Sequence, residues 1–273
     1  MAPTFEAGDI SIKALSDGIL KTSIDLVNDM TRAEADALVG GSDNGSIFIP
    51  VNNFMFRRSG QTILIDAGAG DTMQATLGKL PENLRKEGVE PEDVTHIVIT
   101  HLHVDHANGL VDHDGNAIYP NAEILIHEQE FDFWMGDDLA TDSERIRKSR
   151  ARNRFNMKPY LERTRRMHDG EEILGCSPIL AAGHSPGHTC WRIGTGRDAF
   201  IAWGDLVHLS AIQISHPDIN LTYDLDQDMA RRSRRRILDM VASDGLLVAG
   251  AHVNAPGIGR VSRKGASFRY DAG

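Results

Sequence analysis

Short apolar runs bounded by glycine, asparagine, aspartate and serine recur along most of the 273-residue chain. Runs of about four to eight apolar residues between turn signals are typical of buried β-strands. We predict strands at residues 10–15, 51–56, 62–65, 94–99, 122–127, 178–182, 191–193, 199–203 and 246–249. The turn residues Ser16, Asp17 and Gly18 follow the first run, so we expect the first strand to end there and to form a hairpin.

Helical patterns lie between groups of these runs. Residues 31–34 have the form of a capping box, which predicts a short helix that reaches Leu38. Further helices are predicted at residues 79–87, from residue 128 onward and at residues 229–241. Strands in groups with helices between them are typical of an α+β fold. The chain contains no internal repeat and no linker, which predicts a single domain over residues 1–273.

Four of the apolar runs are each followed by a histidine or an aspartate. These runs end near Ile99, Ala182, Trp203 and Ala249. We therefore expect one edge of the fold to gather the polar side chains that follow the strands.

The densest of these polar segments contains three histidines and one aspartate within six residues: His101, His103, Asp105 and His106. Imidazole and carboxylate together suit zinc and its first-row neighbours. One metal that keeps an open catalytic position cannot take four ligands from one short loop. The segment therefore predicts two metals. Residues two apart on an extended chain face the same way, so His101 and His103 can share one metal while the other pair binds the second.

This H-x-H-x-D-H motif after a strand resembles the metallo-β-lactamase superfamily, although such a motif alone also arises by chance or in structural sites. Matching segments follow the superfamily's order at residues 64–68, 183–188, 203–205 and 250–252. The resemblance implies an αββα sandwich, in which two mixed sheets are flanked by helices. It implies that His101, His103 and His188 bind one metal, that Asp105, His106 and His252 bind the other, and that Asp205 bridges them. His184 is interpreted as a hydrogen-bonded loop residue. Asp66 is interpreted either as an acceptor for a metal-bound imidazole or as a turn cap.

Two divalent ions balanced by Asp105, Asp205 and a bridging hydroxide leave a net charge of about +1, which suits attack on a carbonyl or phosphoryl centre. We therefore expect a hydrolase of lactones, esters or phosphotriesters, with Asp105 and Asp205 in catalytic positions. Many true β-lactamases of this superfamily carry cysteine where this chain has Asp205, so β-lactam hydrolysis is the less favoured alternative. Zinc is the expected metal, with manganese, cobalt or iron as alternatives.

Segments outside the ligands resemble the branch of the superfamily that contains methyl parathion hydrolase and the quorum-quenching lactonases. They lie at residues 15–18, 77–84, 133–134, 204–207, 211–213 and 256–259. Phe54, Phe133 and Trp134 are candidates for an apolar substrate pocket, although a lone aromatic side chain is more often part of the core.

His208 follows Asp205 by three residues and departs from both groups of that branch, because the position resembles a tyrosine in the lactonases and is apolar in methyl parathion hydrolase. We expect the imidazole of His208 to hydrogen-bond the attacked carbonyl or to protonate the leaving group. A loop histidine that faces away from the metals is the alternative.

The formal net charge of −10 argues against a chain that grips nucleic acid or anionic lipid over its whole surface, and thus against a nuclease or phosphodiesterase. A non-enzymatic redox module would need an electron-carrier domain, for which no segment is present. Ten lysines and arginines lie between Arg145 and Arg166. They form either a solvated helix face, a funnel for an anionic substrate or a dimer contact.

The remaining features predict a cytoplasmic protein with a small-molecule substrate, without nucleic-acid or membrane partners, and with a homodimer as one possibility. The first ten residues lack the basic and apolar regions of a signal peptide. The two cysteines, Cys176 and Cys190, are too few for a disulfide framework and are expected to be buried thiols.

Overall fold

A computed structural model describes residues 2–273, and two mixed β-sheets form its centre. The strands of the first sheet, in chain order and in spatial order, are β1 (Thr4–Ala7), β2 (Ile10–Ser23), β3 (Ser46–Arg58), β4 (Gln61–Ile65), β5 (His96–Ile99), β6 (Glu123–His127) and β7 (Thr164–Met167). Neighbours from β1 to β4 are antiparallel, and those from β4 to β7 are parallel.

The second sheet comes from the C-terminal part of the chain. Its strands are β8 (Cys176–Leu180), β9 (Thr189–Ile193), β10 (Phe200–Ala202), β11 (Leu247–Ala249), β12 (Ile258–Lys264) and β13 (Ser267–Ala272). They lie in the order β13-β12-β11-β10-β9-β8. Within the described part of this second sheet, β10 and β11 are the one parallel pair, and the other neighbours are antiparallel.

Helices connect the strands and cover the outer faces of both sheets. They are α1 (Arg32–Val39), α2 (Leu80–Lys86), α3 (Val104–Ala107), α4 (Glu128–Met135), α5 (Glu144–Met157), α6 (Ser210–Gln213) and α7 (Gln227–Asp244). Short 3-10 helices lie at Ile24–Leu26, Pro91–Asp93, Asn108–Leu110, Lys158–Arg163, Gly196–Asp198 and Gly204–Leu206. The capping box at Thr31 and Glu34 is present as predicted. Within residues 2–273, no helix has the length and apolar character required to cross a membrane.

The described residues form four apolar clusters, and three of them lie between the layers of the sandwich. The central layer joins side chains of both sheets, among them Ile63 and Val98 from the first sheet and Trp191 and Phe200 from the second. A second cluster packs the first sheet against α2 and α4, and a third packs the second sheet against α7. The predicted αββα sandwich of two mixed sheets flanked by helices is therefore confirmed.

The prediction of a turn at residues 16–18 is wrong. Strand β2 continues to Ser23, and the ladder to β3 shifts register between Ser16 and Gly18, which is the signature of a β-bulge. Gly18 has a φ of 134°, and a Cβ atom there would lie 1.9 Å from the carbonyl oxygen of Thr76. The residues that resemble a turn therefore form a bend inside one long strand.

The structure confirms one further prediction and adds one element that was not predicted. Cys176 and Cys190 are buried free thiols, as predicted. The C-terminal hairpin of β12 and β13, by contrast, was not predicted, because its exposed face carries arginine and lysine in place of a clear apolar run.

Candidate metal centre

The polar segments that follow the strands meet at one edge of the sandwich. The H-x-H-x-D-H segment follows β5, the segment 183–188 connects β8 to β9, and Asp205 and His252 follow β10 and β11. Three groups of ligand atoms there each have their atoms within 4.8 Å of one another. The first group is His101, His103, His184 and Asp205, and the second is Asp105, His106 and His252. A third group, of Asp205, His208 and His252, shares one residue with each of the first two.

The carboxylate of Asp205 lies between the two groups. Its Oδ1 atom lies 2.9 Å from Nε2 of His106 and 3.1 Å from Nε2 of His252. Its Oδ2 atom lies 3.2 Å from Nε2 of His184 and 3.6 Å from Nε2 of His101. One oxygen therefore faces each group, which is the arrangement that a bridging carboxylate requires.

The structure places His184 and His188 differently from the prediction. His184 lies in the first group, where its Nε2 atom is 2.8 Å from Nδ1 of His103. His188 lies in neither group. Its Nε2 atom accepts the backbone N–H of Asp205 at 3.0 Å, and its Nδ1 atom donates to the carbonyl oxygen of Ala181 at 3.2 Å.

The backbone explains why these two histidines differ. His188 directly precedes β9, and its carbonyl oxygen accepts the N–H of Ala181 across the β8–β9 connection. The end of the sheet therefore fixes its ring behind the Asp205 segment. His184 lies four residues earlier in the same loop, where its side chain reaches the other histidines. The position of His188 directly before a strand was the signal in the sequence that could have distinguished it from His184.

Hydrogen bonds at the second ring nitrogen orient several of the clustered imidazoles. Nδ1 of His106 donates to Asp66 Oδ2 at 2.8 Å, so Asp66 is an acceptor for a candidate ligand, as one of its two interpretations predicted. Nδ1 of His184 donates to Asp224 Oδ1 at 3.0 Å, and Nδ1 of His252 donates to the carbonyl oxygen of Pro50 at 2.8 Å. Partners of this kind fix the tautomer that leaves the other nitrogen free for a metal.

Asp224 belongs to a buried chain of charges that the sequence did not indicate. Its Oδ2 atom lies 3.4 Å from Nη2 of Arg234, whose guanidinium is 1% exposed and also donates to the carbonyl oxygens of Leu206, Pro217 and Ile219. The Arg234 guanidinium therefore anchors the carboxylate that orients His184.

Glu130 of α4 connects the two loops that carry the first group. Its carboxylate accepts the N–H of Leu102 at 2.8 Å and the N–H of Gly187 at 3.0 Å. It also accepts Nε1–H of Trp134 at 2.7 Å and the hydroxyl of Ser185 at 2.6 Å. Burial raises the pKa of Glu130 above its ordinary value, although the four hydrogen bonds act in the opposite direction. No sequence motif marks Glu130, since it is a single acid within a helix.

The electrostatics of the cluster favour bound cations. Burial opposes the protonation of His184 and His252, yet the charge and hydrogen bonds of Asp205 and its neighbouring carboxylates raise their pKa values to about 9 and about 10. Burial and the neighbouring His184 lower the pKa of His188 to about 3, which fits its role as a neutral acceptor. In the absence of metal, protons therefore supply positive charge that the buried carboxylates require, and metal binding is expected to release them.

The unsatisfied polar atoms show that the donor set fits a metal. Nε2 of His101 is buried and has no hydrogen-bond partner within the described part of the chain, and Nε2 of His106 and Oδ1 of Asp205 face each other at 2.9 Å without a well-directed hydrogen bond. Leaving such atoms buried and unpaired is costly, and a metal ion removes that cost by coordinating them. Imidazole nitrogens and carboxylate oxygens without a thiolate suit zinc, manganese, cobalt or iron.

A cavity of about 390 Å³ opens above the cluster. His103, Asp105, His184, Asp205, His208 and His252 form its floor, and its walls include Leu20, Ile49, Leu102, Trp134, Ile146, Tyr223 and Leu225. Trp134 therefore lines the cavity as predicted.

The other two predicted pocket residues lie elsewhere. Phe54 is 2% exposed and packs between the two sheets, because its position in β3 faces the central layer, so the prediction for Phe54 is wrong. Phe133 lies behind Trp134, with ring centroids 4.8 Å apart, and contacts the Arg150 guanidinium without lining the cavity.

The side chain of His208 faces the cluster, which excludes the alternative of a loop histidine that faces away. Its Nε2 atom lies 3.0 Å from Asp205 Oδ2, and its ring stacks on that of His252 at 5.3 Å and 12°. The Tyr223 ring lies 5.6 Å from the His208 ring. His208 is thus placed where a substrate would contact it, and its catalytic role stays a prediction.

Comparisons with known proteins agree with this geometry. A family profile described as the metallo-beta-lactamase superfamily matches residues 47–252. An N-acyl homoserine lactonase of Bacillus cereus is 26% identical over 174 residues, which cover 62% of this chain and 60% of that protein. The N-acyl homoserine lactonase AiiB of Agrobacterium fabrum is 31% identical over 103 residues, which cover 31% of this chain and 35% of that protein. The chain thus spans 35% and 60% of the lengths of these curated relatives.

Two solved structures are similar over nearly the whole chain. The hydrolase AbOPH of the beta lactamase superfamily has a TM-score of 0.93 and 28% identity, and the match covers 99% of this chain and 97% of that one. AidC, a dizinc quorum-quenching lactonase in complex with a homoserine product, has a TM-score of 0.92 and 25% identity, with coverage of 100% and 97%.

Proposed function

The chain belongs to the metallo-beta-lactamase superfamily, and we propose that it is a dinuclear metal-dependent hydrolase that opens lactones or cleaves esters with an apolar acyl chain. One observation carries this proposal. A single buried carboxylate, Asp205, is shared by two groups of metal-ligating side chains at the floor of a largely apolar cavity.

Each side chain of the cluster has a role in this proposal. His101, His103 and His184 would hold one ion, Asp105, His106 and His252 would hold the second, and Asp205 would contribute to both sites. Divalent ions held there would supply Lewis acidity toward the attacked carbonyl and toward a water molecule near neutral pH. Zinc is the proposed metal, since the similar lactonase AidC is a dizinc protein. Asp66, Asp224 and Pro50 hold the imidazoles in the required orientation.

The walls of the cavity support an acyl substrate. Leu20, Ile49, Leu102, Trp134 and Leu225 give the cavity an apolar surface of the kind that binds small organic molecules. The curated relatives are N-acyl homoserine lactonases, which makes N-acyl lactones the first substrates to test. Phosphotriesters are the second class, since the same cluster can polarise a phosphoryl oxygen.

The test is a hydrolysis panel of lactones, aryl esters, phosphotriesters and β-lactams, with elemental analysis of the same protein preparation. We expect about two transition-metal ions per chain, because the seven ligands exceed one tetrahedral shell. We expect the highest kcat/KM for a lactone or ester with an apolar chain. Full activity with a firm stoichiometry of one ion would contradict the dinuclear site, and a clear preference for β-lactams would contradict the substrate class.

A separate prediction concerns His208. If this imidazole donates a proton or a hydrogen bond to the leaving group, His208→Ala should slow alkyl lactones by roughly 10² to 10⁴ in kcat. The same variant should hardly affect 4-nitrophenyl esters, because their leaving group needs no proton. The ratio of the two rates, measured on wild type and variant, checks this expectation. Equal losses on both substrates, or no loss on either, would remove His208 from the leaving-group step.

A further inference from the structure

The basic segment between Arg145 and Arg166 divides into paired and unpaired charges. Four of its members form ion pairs, which are Lys148 with Glu144 at 2.6 Å, Arg150 with Asp142 at 3.3 Å, Arg154 with Asp138 at 2.8 Å and Arg166 with Asp132 at 2.8 Å. Neighbouring acids therefore neutralise these four charges, and the solvated helix face, the funnel and the dimer contact stay alternatives for the segment as a whole.

Arg145 and Arg152 differ from these paired residues. Both lie on the side of α5 that lines the cavity, together with Ile146, Ser149 and Asn153. Within residues 2–273, neither has a carboxylate oxygen within 4.0 Å, and Asp71 acts on Arg152 only through its longer-range charge. Two guanidinium groups without an ion pair therefore lie in the wall of a cavity whose lining also includes Lys21 and several apolar side chains.

The guanidinium of Arg152 is only partly satisfied by the protein. Its Nε atom donates to Asn108 Oδ1 at 3.3 Å, while its Nη2 atom is buried and has no hydrogen-bond partner in the described chain. A buried donor without a partner costs free energy, and an ionised acceptor is its strongest possible partner. Arg152 also lines the cavity, so it brings there a positive charge that no carboxylate within 4.0 Å in the described chain neutralises.

The wall that carries these arginines is fixed to the metal loop. Nδ2 of Asn156 donates to Asn108 Oδ1 at 2.8 Å, and Asn108 follows α3, which bears Asp105 and His106. Arg145 and Tyr223 both line the cavity. The distance from the arginines to the cluster is therefore set by packing between helices, which suits recognition of a substrate of defined length.

We propose that Arg145 and Arg152 form a carboxylate-binding subsite, so that the substrate carries a carboxylate at the end remote from the bond that is hydrolysed. The guanidinium fork matches a carboxylate in geometry and charge. This proposal rests on the proposed function for the hydrolytic step, and it adds a preference for a carboxylate at the far end of the apolar chain.

The first test uses mono-4-nitrophenyl esters of succinic, adipic and suberic acid, each compared with its methyl-capped diester. At one chain length, wild-type kcat/KM should be roughly tenfold to a hundredfold higher for the free acid, the range expected for charged hydrogen bonds. In Arg145→Gln/Arg152→Gln, that ratio should fall toward one.

The matched control is Arg147→Gln/Arg165→Gln, which removes two positive charges from the same segment. Arg147 and Arg165 are exposed and do not line the cavity. The control should keep the wild-type ratio of free acid to methyl ester. A ratio near one in the wild type at all three lengths, or equal loss in the control, would overturn the proposal.

A binding measurement separates this proposal from the proposed function. Calorimetric titration of the metal-loaded protein with suberate and with octanoate compares two ligands of one length that differ in the remote carboxylate. Wild type should bind suberate roughly tenfold more tightly, and the Arg145→Gln/Arg152→Gln protein should lose that preference. This result would support the subsite even if no ester were hydrolysed, whereas equal affinities in the wild type would refute it.

Discussion

Replacing Asp205 with asparagine is expected to abolish hydrolysis while the fold persists. Its two carboxylate oxygens face the two ligand groups, and an asparagine keeps the shape but offers one neutral oxygen and an amide that cannot bind a cation. We expect kcat/KM to fall by more than the roughly 10² to 10³ typical of removing one electrostatic contact, because both ions lose a ligand and a charge.

Three measurements on one preparation check this expectation: kcat/KM, metal content and thermal unfolding. The matched control is Asp114→Asn, since the Asp114 side chain is 67% exposed and lies outside the cluster. That variant should keep wild-type activity and metal content. Near wild-type hydrolysis by Asp205→Asn with full metal content would contradict the bridging role.

Much of the fold and the position of the site follow from local sequence signals. Apolar runs such as 94–99 and 246–249 are strands because they are buried, and the polar residues after them meet because those strand ends share one edge of the sandwich. The pairing of His101 with His103 and of Asp105 with His106 follows from backbone direction over a few residues. These inferences need no knowledge of distant contacts.

The predictions from sequence are wrong where contacts between distant parts of the chain determine the structure. Asp17 resembles a turn residue, but its buried carboxylate accepts the N–H groups of Ala69, Gly78 and Leu80 at 3.0 to 3.1 Å, and these donors lie more than fifty residues away. Glu130 and Asp224 are comparable cases, since their partners come from separate loops. Phe54 was misplaced because an aromatic residue in a strand can face either side, and the orientation of β3 in the sandwich selects the core.

The choice between His184 and His188 shows the same limit within six residues. The segment contains two histidines four positions apart, and either can be aligned with a metal ligand when only residue types are compared. The start of β9 and the hydrogen-bond partners of each ring distinguish the two residues. They show that His184 faces the cluster and that His188 supports the Asp205 backbone.

The different positions of His184 and His188 predict different effects of replacing each residue. His184→Gln should remove a ligand from the first group, because a glutamine amide is a poor ligand for zinc. We expect the metal content to fall from about two ions per chain to about one, with loss of most activity. His188→Gln removes an equally buried imidazole but leaves both ligand groups complete, so it should retain about two ions. Its activity should fall by roughly 10-fold to 100-fold, as for residues that support a metal site indirectly.

Cobalt substitution distinguishes the two variants without relying on turnover. The visible absorption of bound Co²⁺ depends on its ligands, so His184→Gln should change the spectrum and its intensity per chain, whereas His188→Gln should keep the wild-type band positions. Thermal unfolding of both metal-free proteins controls for a general loss of stability, since both rings are buried. If His188→Gln lost an ion and His184→Gln kept both, the ligand would be His188. The geometry argues against that result, because Nε2 of His188 is already engaged by the Asp205 N–H.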